Sequence, residues 1–213
     1  MKTALLALAL FVALPAQAYD WTYLSLSGKT CTCIEAEPIR HRLFVGTSEG
    51  FHYLDQDSGI WTDRDWDGWI GRTVWSIQWH PALDNRVITG RENAFFKGYI
   101  EVSDDLGASE EFVYESNGGS VRDLASDGIR FFACTWPDVA PGEFLRSEDD
   151  GDSWTLLGGH GHYAMSAIAF NLAGELLLAG DNGVTLSWDH GANWESMGGG
   201  LPVGQLVRCL EYA

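Results

Sequence analysis

Short runs in which apolar and polar residues alternate follow one another along most of this chain, separated by reversals rich in Gly, Asn and Asp. Period-two alternation puts successive side chains on opposite faces of an extended backbone and predicts half-buried β-strands. Towards the C-terminus it predicts four of them, Met165–Asn171, Glu175–Ala179, Val184–Trp188 and Trp194–Met197, with Asp181-Asn182-Gly183 as a tight reversal. The β-branched and aromatic residues in these runs suit a pleated surface, and no amphipathic helix of useful length appears. One apolar run is different: Ala4–Leu14 is unbroken, preceded by Lys2 and followed by Pro15-Ala16-Gln17-Ala18. A basic start, a short apolar stretch and a small-x-small end predict a secretory signal over residues 1–18, cleaved after Ala18. That run is too short to anchor the chain in a bilayer, and no later stretch is long and apolar enough to span one. The expectation is a secreted or periplasmic product comprising residues 19–213, a length that supports one sizeable core.

The alternating runs recur. Cys33-Ile34-Glu35, Ser76-Ile77-Gln78, Asp123-Leu124-Ala125, Ala167-Ile168-Ala169 and Cys209-Leu210-Glu211 each centre one, at spacings of 43, 47, 44 and 42 residues. A second marker follows in register: Val45-Gly46-Thr47, Thr89-Gly90-Arg91, Ala133-Cys134-Thr135 and Ala179-Gly180-Asp181, spaced 44, 44 and 46. A repeat of this length, made of short strands and Gly-rich turns, is the mark of a β-propeller blade. The expected fold is therefore all-β, a propeller of four-stranded blades. Leu206–Tyr212 matches an innermost strand, and Asp20-Trp21-Thr22 matches the start of an outer one. That arithmetic gives four full blades and a partial fifth. Truncation of a larger ring is the preferred explanation; assembly of copies and irregular closure are the others, so an oligomer is a candidate state.

Between the third and fourth strands of a unit the sequence carries a motif. Ser147-Glu148-Asp149-Asp150-Gly151-Asp152-Ser153-Trp154 and Ser187-Trp188-Asp189-His190-Gly191-Ala192-Asn193-Trp194 both fit S-x-D-x-G-x-x-W. Asp accepts hydrogen bonds from turn amides, Gly takes a positive φ, Ser adds a local backbone bond and Trp anchors the hairpin. Ser103-Asp104-Asp105-Leu106-Gly107 keeps the first half but has Glu110 in place of the Trp, and Asp57-Ser58-Gly59-Ile60-Trp61 is a worn version. These motifs resemble the Asp-boxes (BNR repeats) of sialidase-like, sortilin-like and related propellers. The resemblance implies that Ser147, Asp149, Gly151 and Trp154, with Ser187, Asp189, Gly191 and Trp194, are structural and lie opposite the ligand face. It does not supply an activity.

Charge narrows the partners. Without Lys2 the chain has 12 basic against 30 acidic residues, a net −18, which repels nucleic acid and anionic membranes and leaves neutral ligands, cations and proteins. Cys31, Cys33, Cys134 and Cys209 all follow the leader. Cys31 and Cys33 share one face of a strand and are poorly placed to bond each other. Unpaired strand thiols are the simpler expectation, and a bridge from Cys209 to that strand the sharper one.

Candidate chemistry falls in the loops between second and third strands and between blades, which share the face opposite the S-x-D-x-G turns. Asp63-Arg64-Asp65-Trp66-Asp67-Gly68-Trp69 sets Asp63, Asp65 and Asp67 on alternate positions before a Gly, the first half of a calcium loop, so calcium is the candidate cofactor. Val74 at the twelfth position excludes an EF-hand, and an acidic solvated turn is preferred over a calcium loop completed by backbone carbonyls or a distant carboxylate. Asp65, Trp66, Trp69, Arg91, Glu92, Trp136 and Asp138 form the expected ligand-binding set, a polar and aromatic mouth suited to a carbohydrate or a protein segment. His160-Gly161-His162 lacks a third ligand at a helpful spacing. An alternative is a glycoside hydrolase or sialidase-like enzyme. Arg72, Arg91 and Arg122 are present for a carboxylate clamp, but none lies in the Arg-Ile-Pro context that a sialidase implies. A pair drawn from Asp65, Asp67, Glu92 and Asp138 would serve glycoside hydrolysis only at catalytic separation. The preferred reading is a non-catalytic binding module.

Overall fold

The computed structural model describes residues 30–65, 73–117, 119–137, 140–171, 173–197 and 205–210. Within them the chain forms sixteen strands in four antiparallel four-stranded sheets and no helix. The first sheet contains β1 (Cys31–Glu37), β2 (Arg42–Thr47), β3 (Gly50–Asp55) and β4 (Ile60–Asp65). The second contains β5 (Thr73–Trp79), β6 (Val87–Glu92), β7 (Gly98–Ser103) and β8 (Glu111–Glu115). The third is β9 (Val121–Ser126), β10 (Phe131–Thr135), β11 (Phe144–Ser147) and β12 (Thr155–Leu157). The fourth is β13 (Met165–Phe170), β14 (Leu176–Gly180), β15 (Gly183–Ser187) and β16 (Glu195–Ser196). Each sheet runs in sequence order from its first strand to its fourth, so each is an up-and-down blade. The first strands β1, β5, β9 and β13 contact one another in succession, which sets the blades side by side.

The core lies between blades rather than within any one. Phe44 and Phe51 of blade 1 meet Val74, Ile77, Val87 and Leu106 of blade 2. Ile88, Ile100 and Val102 of blade 2 meet Val121, Phe131 and Leu145 of blade 3. Phe132, Cys134 and Phe144 of blade 3 meet Met165, Leu176 and Leu178 of blade 4. Close approach of the first strands explains the glycine marker. A Cβ on Gly90 would lie 2.3 Å from Ser76 Oγ and 2.6 Å from Val121 Cγ1 on the next blade. Register refines that marker, since Gly46, Gly90 and Cys134 pair with Cys33, Ser76 and Asp123, but Ala167 pairs with Ala179 rather than Gly180.

Three S-x-D-x-G turns close one end of the blades with the same bonds. Ser103, Ser147 and Ser187 accept the amides of Gly107, Gly151 and Gly191 on Oγ at 2.7, 2.9 and 2.8 Å. Their hydroxyls donate to Asp105, Asp149 and Asp189 at 2.9, 2.8 and 2.8 Å. Those carboxylates accept both the side-chain donors and the backbone amides of Ser109, Ser153 and Asn193. The side-chain bonds act most on Asp149 and Asp189 and the backbone amide most on Asp105, which holds all three below the usual Asp range and Asp189 at about 2. Gly151 has φ of 97°, and a Cβ there would sit 2.6 Å from Ile88 Cδ1 of the preceding blade. Arginines of the preceding blade bond the carbonyl beside each glycine: Arg64 to Leu106, Arg86 to Asp150 and Arg146 to His190, each at 3.0 Å. These turns therefore lock neighbouring blades as well as their own hairpins. The worn version in blade 1 is a different turn, with Asp55 Oδ1 accepting the Ser58 amide at 2.9 Å.

Residues 205–210 contact blade 4 as one blade contacts the next. Val207 N donates to Gly180 O at 3.1 Å, and Ser166 Oγ donates to Val207 O as Thr32 Oγ1 does to Val74 O. Val207 thus occupies the place of a fifth first strand. All four cysteines are free thiols, so the expected Cys209 bridge does not form; Cys33 and Cys134 are packed among apolar groups, and desolvation raises the Cys33 thiol to about 12.

Candidate functional site

Each first strand carries one extra residue near its start, where the register shifts: Thr32, Trp75, Arg122 and Ser166. A bulge twists the strand and re-aims a side chain, and this one recurs at the end of the blades opposite the S-x-D-x-G turns. Thr32 and Ser166 are short and bond the backbone of the following blade. Trp75 and Arg122 are long and meet each other. The Arg122 guanidinium lies 3.7 Å from the centroid of the Trp75 ring, a cation–π contact between adjacent blades. Trp75 Nε1 donates to Glu92 Oε2 at 2.8 Å, and the same oxygen lies 3.9 Å from Arg122 Nη2.

The three residues form a cation, an aromatic face and a carboxylate on a blade junction. Loss of hydration lowers the Arg122 pKa, with the Glu92 carboxylate opposing that shift. Its Nε is buried with no hydrogen-bond partner among the described residues, and 27% of the side chain is exposed. A planar cation held against a ring, with part of its side chain open to solvent, suits a polar ligand carrying an acceptor. Trp136 is at the same end of blade 3, its amide donating to Ser120 O at 2.8 Å.

Of the residues expected to bind ligand, Glu92 is the one brought into this cluster. Arg91 does not reach the mouth. Its side chain is 1% exposed and runs between blades 1 and 2, where Nε lies 2.7 Å from Glu101 Oε2 and Nη2 2.5 Å from Glu110 Oε1. Two buried carboxylates satisfy it better than the surface does. Asp63 Oδ1 lies 3.4 Å from His52 Nδ1. Trp66, Asp67, Trp69 and Asp138 lie outside the described residues, as does the Asp65 side chain. Among the described residues no group of three or more His, Cys, Asp and Glu is placed to hold a metal. His162 has Asp181 at 3.6 Å and Thr185 Oγ1 at 3.2 Å; desolvation lowers its pKa and that of His160, whose ring is stacked on it.

Trp75 and Arg122 were not in the expected set. Each directly precedes a repeat marker, Ser76 or Asp123, so the signal was a shared position with two large side chains. Strict alternation hides it, because a bulge breaks the alternation. At the opposite end a cavity of about 290 Å³ lies between blades 2 and 3, lined by Arg86, Asp104, Glu110, Glu111 and Asp152. Arg86 already bonds Asp104 and Asp152 there, which makes it part of the blade lock.

No family model matches the chain, and no curated protein matches it. Solved structures do match its shape. An ancestral GH74 enzyme superimposes with a TM-score of 0.64 at 16% identity, over 78% of this chain and 24% of that one. A chain of a nidogen/laminin complex gives 0.61 at 12% identity, over 78% and 63%, and YCF48 bound to a D1 peptide gives 0.56 at 16%, over 78% and 52%. The fold is a β-propeller. The chain spans less than two thirds of each of these neighbours, and at such identities the likeness extends to the fold alone. The neighbours include both an enzyme and proteins solved with protein partners, so the propeller itself does not choose between catalysis and binding.

Proposed function

We propose that the protein is an exported Asp-box β-propeller that works as a binding module, taking a carbohydrate or protein ligand at the face opposite its S-x-D-x-G turns. The observation that carries this reading is the inter-blade cluster of Arg122 stacked on Trp75 beside Glu92. The leader-like residues 1–18 support export, and the bonding in the three turns supports the Asp-box reading. The nidogen/laminin complex and YCF48 bound to a D1 peptide support partner binding as a use of this fold. Trp66, Trp69, Trp136 and Asp138 extend the proposed face, with Asp63, Asp65 and Asp67 as its proposed calcium loop.

The hydrolase alternative has its best support in Glu35 and Asp123, whose carboxyls desolvation raises to about 7. Asp123, however, accepts Leu124 N on Oδ1 at 3.0 Å and Ile168 N on Oδ2 at 2.7 Å. One oxygen is held by its own strand and the other by blade 4, so this pair does not provide the free acid and partner carboxylate that glycoside hydrolysis requires. The test is a screen of glycans and soluble peptides against the wild type, Arg122→Ala and Trp75→Ala. The reading expects a ligand whose affinity drops at least tenfold in both variants. Turnover of aryl glycosides by the wild type would replace it with the hydrolase.

A further inference from the structure

The turn between β6 and β7 presents two adjacent phenylalanines to solvent, Phe95 at 82% and Phe96 at 61% exposure. It leaves the strand directly after Glu92, so it stands beside the proposed binding face. The turn is built rather than loose. Asn93 Oδ1 accepts the amides of Phe95 and Lys97 at 2.8 and 3.1 Å, and Asn93 and Lys97 pair through their backbones at 2.9 Å. Asn93 Nδ2 donates to Tyr99 Oη at 3.0 Å, and the Tyr99 ring meets Phe112 edge-on, centroids 5.4 Å apart. Phe112 is itself half exposed, so an aromatic strip continues down blade 2 from the tip. Phe96 holds a φ of 63°, which bulky L-residues resist and which turns commonly assign to Gly or Asn. Such a residue kept there costs stability, and its exposed ring gains little from packing against its own fold.

The geometry points to Phe95 and Phe96 as the apolar anchor of a protein partner, one that offers an aliphatic segment flanked by basic residues. This rests on reading the adjacent face as a binding face and adds the class of partner. Rigid aromatics are the residues that carry binding energy at protein interfaces, and a preformed turn avoids the cost of ordering them. The basic flank follows from the charge of the chain as a whole, 30 acidic against 13 basic residues, since the two carboxylates nearest the turn, Glu92 and Glu115, already face Arg122 and Lys97. The same charge argues against a lipid surface. Two phenylalanines give only a marginal anchor by themselves, and stable membrane attachment needs a second signal such as a basic patch.

The test selects a phage-displayed random peptide library on the folded protein and measures the enriched peptides as free synthetic peptides. The variants are Phe95→Ser/Phe96→Ser, and Arg122→Ala as the control for the cluster; unchanged melting temperatures show that they fold. The expected result is a set of peptides combining aliphatic residues with Lys or Arg, weakened at least tenfold by the phenylalanine pair. Peptides that lose affinity in Arg122→Ala but not in the double variant would overturn the anchor and leave the binding face intact. An absence of enrichment, or peptides indifferent to both variants, would overturn the anchor as well. Sedimentation with phosphatidylcholine vesicles that depends on Phe95 and Phe96, without peptide binding, would replace the protein partner with a lipid surface.

Discussion

The junction between blades 1 and 2 and the junction between blades 2 and 3 use one design with different chemistry at the closing position. In the second, Trp154 follows its S-x-D-x-G turn, packs on the cluster of Ile88, Ile100, Val121 and Leu145, and donates from Nε1 to Gly151 O at 3.0 Å. In the first, the turn is equally complete, yet Glu110 stands where the Trp would be and lies buried against Arg91, which also meets Glu101. The turn itself therefore does not require the tryptophan. What it requires is something to fill the slot between blades, and a buried ion triad or an indole will do. The two solutions differ in what breaks them. An indole loses area when truncated, whereas a triad that loses its cation leaves two carboxylates that are at most 2% exposed and have lost the guanidinium between them.

The largest expected effect tests that difference. Arg91→Ala should destabilise the fold by about 3–5 kcal/mol, because it removes the cation from a buried ion group. Chemical denaturation measures it. The sharper form is the triple change Arg91→Met, Glu101→Leu and Glu110→Trp, which converts the first junction to the chemistry of the second. It should recover most of the loss, since well-packed apolar replacements of buried ion groups are commonly neutral or better. Failure of the triple variant to recover would show that the triad supplies something an apolar slot does not. Trp154→Ala comes next, at about 2–3 kcal/mol, below the range for a fully enclosed Trp because part of its ring is solvated. A loss as large as that of Arg91→Ala would erase the distinction between the two junctions.

The third junction adds a titratable contact. Asp123 of blade 3 accepts the Ile168 amide of blade 4, at a position where blades 1 and 2 have Cys33 and Ser76. Desolvation raises its carboxyl from 3.8 to about 7, helped by the charge of Glu35. Between those pH values the folded chain holds a proton that the unfolded chain releases. The contribution is therefore fully present below about pH 4 and is lost as pH rises to about 7. Denaturation midpoints of the wild type and Asp123→Asn across pH 4–8 should show the wild type losing stability relative to the variant over that window. Parallel pH profiles would remove Asp123 as a titrating contact.

These residues also show where sequence stops being informative. The strands were legible because each blade buries side chains at period two, and Met165–Asn171 differs from β13 by one residue. Ser147, Asp149 and Gly151 were legible because their bonds join residues at most four apart. Arg91 was not. Alternation gives its face, but its partners come from elsewhere, Glu101 from within β7 and Glu110 from just before β8, and an arginine near a loop looks the same whether it turns inwards or outwards. Trp75 and Arg122 were hidden by the bulge, which moves each out of the pattern that identifies its neighbours. The D-x-D-x-D-G segment is mostly outside the described residues, so its calcium reading stays where the sequence left it.

The smallest expected effect has the opposite sign and sets a surface turn against the buried junctions. Phe96 has a left-handed φ and a mostly exposed ring, so Phe96→Gly removes backbone strain while sacrificing little packing. Relief of about 1–2 kcal/mol for an L-residue in that region, less about 0.5–1 for the added freedom of glycine in the unfolded chain, leaves a gain of about 0.5–1 kcal/mol. A rise in melting temperature of a few degrees measures it. At Arg91 and Trp154 the native residue is expected to be the most stable single choice, because packing and pairing select it. At Phe96 it is expected to be a worse choice than glycine, which packing cannot explain and exposure to a partner can. A Phe96→Gly variant that is less stable than wild type would show that the ring is held by its own fold, and the turn would then belong with the junctions rather than with the binding face.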